Sequence, residues 1–431
     1  MTPPNSAVQE APSDEATTDV SKCDCCVVGG GPAGVMLSLL LARQGISTFL
    51  LESHKDFDRD FRGDTIHPST LEILDQLGLA ARLHELPHGK LRALKVHTPG
   101  GTTTLVDLHR LRTPFPYIMM LPQARFLDFL ATEARRYPDF HLQLGANVQR
   151  LVEEGGRIVG VRRRGDDSRW HEVRAPLVVG CDGRFSKLRS LSRLETEKTS
   201  PPMDVVWLRL SRRPTDPRDE GEFYISGGHL VVILNREDHV QIGYVILKGG
   251  FPQMRASGIE TLQKSLAAIV PWLADRVGEL QDWKQVSVLS VESSRLPRWY
   301  RAGLLLIGDA AHVMTPVGGV GINYAIQDAV ETANLLGPAL KRGQVSLEDL
   351  AAVQHVRERP TRIIQAFQRF MQRQMVNHAL EDDKPFHFPL AMRLIASLPL
   401  IRDIPARMVA FGPRRVRIQD GEAQRSASPA Q

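Results

Sequence analysis

The chain has 431 residues, 42% hydrophobic and 24% charged, with a formal net charge of +5. That length exceeds what one hydrophobic core usually serves, so two interleaved or consecutive domains are expected. The composition excludes a disordered, fibrous or multi-span membrane protein.

Charge placement says more than its sum. Residues 341–431 hold 15 Lys+Arg against 9 Asp+Glu, whereas residues 1–20 carry Glu10, Asp14, Glu15 and Asp19 with no base. No aromatic platform or nucleic-acid module accompanies the arginines, so a solvated helix face is expected and no nucleic-acid partner. The N-terminus lacks the pattern of a secretory signal or presequence, which predicts a cytoplasmic protein with a flexible tail over residues 1–20. The best apolar run, Phe388 to Ile401, is broken by Arg393 and prolines. Membrane contact is therefore expected to be at most peripheral, through this C-terminal segment. Four cysteines, Cys23, Cys25, Cys26 and Cys181, do not make a disulfide framework in a chain this long. They read as buried strand residues in a reducing compartment, with no metal site.

In chain order, Cys23 to Val28 reads as a buried strand opening onto Gly29-Gly30-Gly31-Pro32-Ala33-Gly34, then a buried helix to Gln44. Ser47 to Glu52 reads as a second, parallel strand, completing the βαβ unit of a doubly wound sheet. Helical periodicity returns over Ser69–Leu79 and Ala124–Arg136, and residues 141–180 read as a β meander. Residues 203–250 alternate as antiparallel strands of a second domain. Leu304 to Ile307 returns the chain to the first domain. A helix is then expected from Ile322 to Leu336, stopped by Gly337-Pro338, with further helices over 347–378 and Phe386–Val409. The fold class is thus α/β: a Rossmann-like domain over 21–85, 121–195 and 301–340, with an interleaved antiparallel sheet domain over 86–120 and 196–300. Helices follow over 341–420, with a second tail over 421–431.

Gly29-x-Gly31-x-x-Gly34 between strand and helix is a phosphate cradle. Glycines allow a tight turn and close backbone approach, and the helix N-terminus offers unpaired N–H groups. Glu52, 18 residues beyond Gly34, stands where a carboxylate accepts hydrogen bonds from ribose hydroxyls. These residues alone do not separate NAD from FAD, which share the ADP half.

Gly308-Asp309-Ala310-Ala311-His312, then Pro316, Gly318-Gly319, Gly321, Ile322 and Asn323 through Ala329, resembles the second FAD fingerprint of the flavoprotein hydroxylases related to p-hydroxybenzoate hydroxylase. Val178 to Arg189 resembles that family's Asp-Gly motif, matched at Asp182, Gly183, Ser186 and Arg189. Arg62 and Gln123 match positions that contact FAD in such relatives, and Arg43 sits at the end of the first helix, as an arginine often does there. The resemblance implies FAD as cofactor, with Gly29, Gly31, Pro32, Ala33, Gly34 and Glu52 on its ADP half and Asp309 on its ribityl chain. It puts Pro316, Gly318 and Gly319 near the flavin ring. It further implies an FAD-dependent monooxygenase that takes electrons from NADPH or NADH and hydroxylates a hydrophobic, aromatic or quinone-like substrate with O2 through a flavin C4a-hydroperoxide.

No catalytic triad or metal cluster is expected, because the chemistry is borne by the flavin. Trp207, Tyr224, His229 and Tyr244 are the substrate candidates on the second domain's strands. Three rival readings remain: a flavin reductase of isoprenoid double bonds, with Phe388–Phe411 covering an apolar tunnel; a flavin halogenase, whose Trp-x-Trp-x-Ile-Pro signature is absent; and a non-catalytic binder related to the Rab GDP-dissociation inhibitors.

Overall fold

The computed structural model describes residues 17–58, 63–165, 169–199, 201–217, 219–379 and 402–419. Every residue of Cys25–Val28 and of Leu177–Gly180 is buried, as in strands covered on both faces. These two lie side by side in a six-stranded sheet ordered Tyr300–Arg301, Leu304–Leu306, Leu177–Gly180, Cys25–Val28, Thr48–Leu51, Phe140–Gln143. All its pairs are parallel except the edge hairpin of Tyr300–Arg301 with Leu304–Leu306. Cys25 and Cys26 are fully buried in it, and burial pushes the nearby Cys23 thiol up to about 12.

The helices that flank the two large sheets include α1 (Pro32–Arg43), α2 (Pro68–Gln76), α3 (Gln123–Ala134), α4 (Ile259–Ile269), α5 (Gly321–Lys341), α6 (Leu347–Ala379) and α7 (Ile404–Phe411). Helix α1 is buried from Ala33 to Ala42 because it packs on the sheet and between α3 and α5.

A seven-stranded sheet takes Ala93–Thr98 and Gly101–Asp107 from one part of the chain and four strands within 203–247 plus Ser287–Ser290 from another. It is antiparallel except where Glu220–Ser226 runs parallel to Ala93–Thr98. Side-chain alternation divides it into two faces. Val206, Leu208, Val231, Ile233, Ile242 and Tyr244 pack against Leu262 and Leu266 of α4. On the other face Val205, Trp207, Phe223 and Val232 meet Phe367 and Met371 of α6 and Val317. That second face continues over Leu94 and Val106, where Ala406, Val409, Ala410 and Phe411 of α7 cover it.

Four expectations change. Residues 17–20 are not tail: Thr17–Lys22 is a strand that pairs parallel with Trp170–Arg174 at the edge of a separate four-stranded sheet. The meander is confined to Asn147–Arg174, since Phe140–Gln143 and Leu177–Gly180 belong to the central sheet. Gly337-Pro338 does not stop α5, which runs to Lys341. A Cβ at Gly337 would lie 2.1 Å from Gln44 Oε1, so this glycine serves close helix packing. Arg357 of α6 is 0% exposed, so the basic C-terminal region is not simply a solvated face. Residues 386–401 of the expected C-terminal helix lie outside the described residues.

Candidate cofactor and substrate site

The first glycine turn is tight for identifiable reasons. Gly29 has φ +106°, and a Cβ there would meet the Cys181 carbonyl oxygen at 2.4 Å; one at Gly34 would meet Gly29 O at 1.9 Å. Gly31 differs. It has φ −77° and ψ −177°, and a Cβ on it would find its nearest neighbour only at 3.9 Å. Gly29 and Gly34 thus close the turn, while Gly31 opens onto free space before the N-terminus of α1, with Pro32 occupying the first position, where no N–H is needed. Glu52 is 5% exposed and receives Gly30 N–H at 2.6 Å and His54 N–H at 2.9 Å. Its carboxylate therefore locks the turn from the end of the neighbouring strand.

The second fingerprint lies alongside the first. Gly308 has φ +60°, and its missing side chain would point between Ala33 of α1 and Ala325 of α5, at 3.4 and 3.3 Å. This wedge seats the turn that carries the partly exposed Asp309 against Ala33 of α1 and Ala325 of α5. Gly318 and Gly319 have φ +78° and +63°, conformations that favour glycine, and Thr65 Oγ1 donates to Gly319 O at 3.0 Å. Nothing lies within 4 Å of a Cβ built on Gly321, so the N-terminus of α5 also faces open space. Two helix starts with first-turn N–H groups free of intrahelical partners, joined by the Gly308-Asp309 turn, fit a long dinucleotide gripped at two places.

Beneath the second turn sits a buried ionic group. Asp328 of α5 is bound by His312 Nε2 at 2.6 Å, Arg357 Nε at 2.6 Å and Gly308 N–H at 3.0 Å. Burial alone would raise the Asp328 carboxyl, but His312 and Arg357 outweigh it and hold the group below its ordinary value. His312 is thus a support of the Gly308 turn.

In the third motif Asp182 is satisfied locally. It accepts from Ser186 Oγ at 2.5 Å and from Leu188 N–H at 2.9 Å, while burial pushes its carboxyl upward. Its Cα would lie 2.7 Å from a Cβ on Gly29, which puts the motif's backbone against the first turn. Gly183, at φ +79°, faces open space. Arg189 donates to Ala310 O at 3.0 Å and to Arg184 O at 2.6 Å, joining this motif to the second. Gln123 begins α3, and a Cβ on Gly63 would sit between it and Ile322, so Gln123 and Ile322 are near neighbours. Arg62 lies outside the described residues. Arg43 ends α1 on the rim of a cavity with Arg82, Glu133 and Arg136, away from the turns.

Asn323 uses its side chain structurally. Its Oδ1 accepts from His67 N–H at 3.0 Å and from Thr70 Oγ1 at 2.7 Å. His67 Nδ1 donates to Val409 O at 2.7 Å, tying α2 and α7 to the start of α5. Burial lowers His67 from 6.5 to about 4, against the Val409 carbonyl, which raises it. Between those values the unfolded chain binds a proton that the folded chain does not. Stability therefore declines as pH falls from 6.5 towards 4, by about 1.4 kcal/mol per unit. We expect urea denaturation at pH 5.0 and 7.0 to differ by about 2 kcal/mol more in wild type than in His67→Leu. Equal differences would show that His67 titrates normally.

The substrate candidates divide between the two sheet faces. Trp207 is on the face shared with Val317, its ring spread over Gly243, where a Cβ would approach it to 2.9 Å. Tyr224, His229 and Tyr244 are on the opposite face under α4. There Tyr244 Oη pairs with His229 Nδ1 at 2.8 Å, and Tyr224 Oη accepts from Trp272 Nε1 at 3.0 Å. Phe223 and Val232, which the sequence shows only as apolar strand residues, share Trp207's face through the pairing of their strands. Sequence reading missed Thr65, His67, Arg357 and Gln368, each of which meets a partner far away in the chain. Among the described residues no His, Cys, Asp and Glu group suits a metal ion, and no helix is long and apolar enough to cross a membrane.

Comparison with known proteins agrees with this geometry. The family described as "FAD binding domain" matches residues 22–366. The chain is 34% identical to the 6-methylpretetramide 4-monooxygenase of Streptomyces rimosus, over 95% of this chain and 96% of that one. The solved anhydrotetracycline hydroxylase OxyS of Streptomyces rimosus superposes with a TM-score of 0.72 at 24% identity, over 94% of this chain and 78% of that one. PqsL of Pseudomonas aeruginosa, described as a probable FAD-dependent monooxygenase, gives 0.71 at 19% identity, over 84% and 98%. These two structures share the fold. Matched over most of its length by the family and nearly end to end by a monooxygenase, the chain belongs to the FAD binding domain family and is an FAD-dependent monooxygenase that uses NAD(P)H.

Proposed function

We propose that the enzyme hydroxylates a flat, multi-ring aromatic compound of the polyketide type, held between the apolar sheet face and the loop Pro316–Gly319. The observation that carries this reading is an apolar cluster against which Trp207, Phe223 and Val232 of the sheet and Val317 of the glycine loop all pack. A surface of indole, phenyl and aliphatic groups suits fused rings better than small charged acids. The 34%-identical relative, named for a pretetramide substrate, supports the same class.

When bound, FAD supplies the redox chemistry: it is reduced by NAD(P)H and activates O2 for transfer of one oxygen atom. The chain supplies position. The N-terminus of α1 and the open side of Gly31 receive the pyrophosphate, and Glu52 stands by the adenosine ribose. Gln123 and Asp182-Gly183 flank this path, and Asp309 takes the ribityl hydroxyls. Pro316 to Gly319 lies against the ring, with the first N–H groups of α5 (Gly321, Ile322, Asn323) favouring negative charge there. Trp207 forms the floor beneath the substrate, and α7 and α6 exclude water from the same face.

The test is NAD(P)H oxidation by purified protein with a panel of naphthacene, anthracene and single-ring phenols, scoring product oxygen from labelled O2. Tetracyclic or tricyclic phenols are expected to give the best coupled turnover; best turnover with small carboxylated phenols would overturn the reading. Product formed without O2 uptake would favour the reductase alternative. In Trp207→Ala we expect KM for the best multi-ring substrate to rise roughly 30-fold, about 2 kcal/mol, with FAD content unchanged. An unaltered KM removes Trp207 from the substrate floor.

A further inference from the structure

Helix α6 buries polar side chains where a helix usually buries apolar ones. Gln354, Arg357, Thr361, Gln365, Gln368 and Gln372 are each at most 9% exposed, and their spacing of three or four residues places them on one face. A buried amide is unfavourable unless it is hydrogen-bonded, and three of the four glutamines find backbone partners. Gln354 accepts from Trp299 N–H at 3.0 Å and donates to Pro297 O at 2.8 Å. Gln365 Nε2 donates to Ser294 O at 3.0 Å and Val313 O at 3.2 Å. Gln368 Nε2 donates to Thr315 O and Val317 O, both at 2.8 Å.

The pattern follows the chain segments that lead into and out of the Asp309 turn. The two Gln368 bonds bracket Pro316, which has no N–H of its own to anchor the loop. Gly318 and Gly319 add no side chains to hold it. What fixes the loop is a carbonyl clamp on each side: Gln368 at Thr315 and Val317, and Thr65 at Gly319.

We infer that Gln368 is a positioning residue for the flavin: its amide holds the carbonyls on both sides of Pro316, so that the glycine loop and the start of α5 keep one conformation against the ring. This rests on the assignment of that loop to the flavin. Gln372 is the internal comparison, because it is buried on the same face, yet its amide nitrogen has no hydrogen-bond partner among the described residues.

The experiment titrates FAD into apoprotein of wild type, Gln368→Leu, Gln368→Glu and Gln372→Leu, following flavin fluorescence and the visible spectrum. Gln368→Leu is expected to bind FAD about tenfold more weakly, 1.4 kcal/mol, with a shifted flavin band, while Gln372→Leu stays within twofold of wild type. Gln368→Glu places a carboxylate against two carbonyl oxygens, and protonation restores one donor. Its deficit relative to wild type is therefore expected to shrink from pH 8 to pH 6, a signature that general packing damage lacks. The inference is overturned if Gln368→Leu binds within twofold of wild type, or if Gln372→Leu loses as much. Should Gln368→Leu not fold, a Gln368→Glu deficit that is flat with pH overturns it. Wild-type apoprotein that bound no FAD at all would sink the cofactor reading along with it.

Discussion

Gly31→Val is expected to yield protein that folds normally and purifies without colour. The two outer glycines and the middle one do different work. Gly34 cannot accept even a methyl group, since its Cβ would overlap Gly29 O at 1.9 Å, so Gly34→Ala should lose both stability and cofactor. Gly31 has an extended backbone that any residue adopts and no neighbour nearer than 3.9 Å to a Cβ. A side chain there leaves the apoprotein unstrained and fills the space that the pyrophosphate needs. The expected result is an apoprotein melting transition within about 0.5 kcal/mol of wild type and at least a 100-fold loss of FAD affinity, about 2.7 kcal/mol. Normal FAD binding by Gly31→Val would mean that the dinucleotide does not pass this turn.

The second large effect is on stability. Asp328 is fully buried between His312 and Arg357, and removing the charge leaves a guanidinium in the interior without its counter-ion. For Asp328→Asn we expect a loss of ~3–5 kcal/mol in chemical denaturation, large against the usual margin of stability. The pH dependence has a definite sign. The folded carboxyl lies below its ordinary value, so its stabilisation is complete above the unfolded pKa, about 3.9, and is lost as pH falls through the lower folded value. Wild type should therefore lose stability below pH 4 more steeply than the variant. A variant as stable as wild type would show that the three groups merely coexist.

What the sequence disclosed follows from how local each requirement is. The glycine turns were legible because a tight turn or a close backbone approach forbids a Cβ at a fixed spacing, whatever the rest of the chain does. Glu52 and Asp309 were legible because each ends a buried strand beside such a turn. The choice among Trp207, Tyr224, His229 and Tyr244 was not legible. Both faces of their sheet are covered, one by α4 and the other by α6 and α7, so alternation reveals two apolar faces without saying which meets the loop. The strand Thr17–Lys22 was hidden because its partner, Trp170–Arg174, is some 150 residues away. Arg357 was misread for a related reason: its charge looks solvated until Asp328, 29 residues earlier, is brought beneath it.

The interleaving of the central sheet has a consequence for how the enzyme matures. Its neighbouring parallel strands come from residues 25–28, 177–180 and 304–306, so the inner layer cannot close until most of the polypeptide has left the ribosome. Such distant pairings assemble slowly. The keystone arrives later still, since Arg357 must reach Asp328 before the turn that precedes Asp309 is braced. A nascent chain stalled before that point would display an unmet carboxylate and an unfinished nucleotide grip, so cofactor capture belongs to the closing stage of biogenesis.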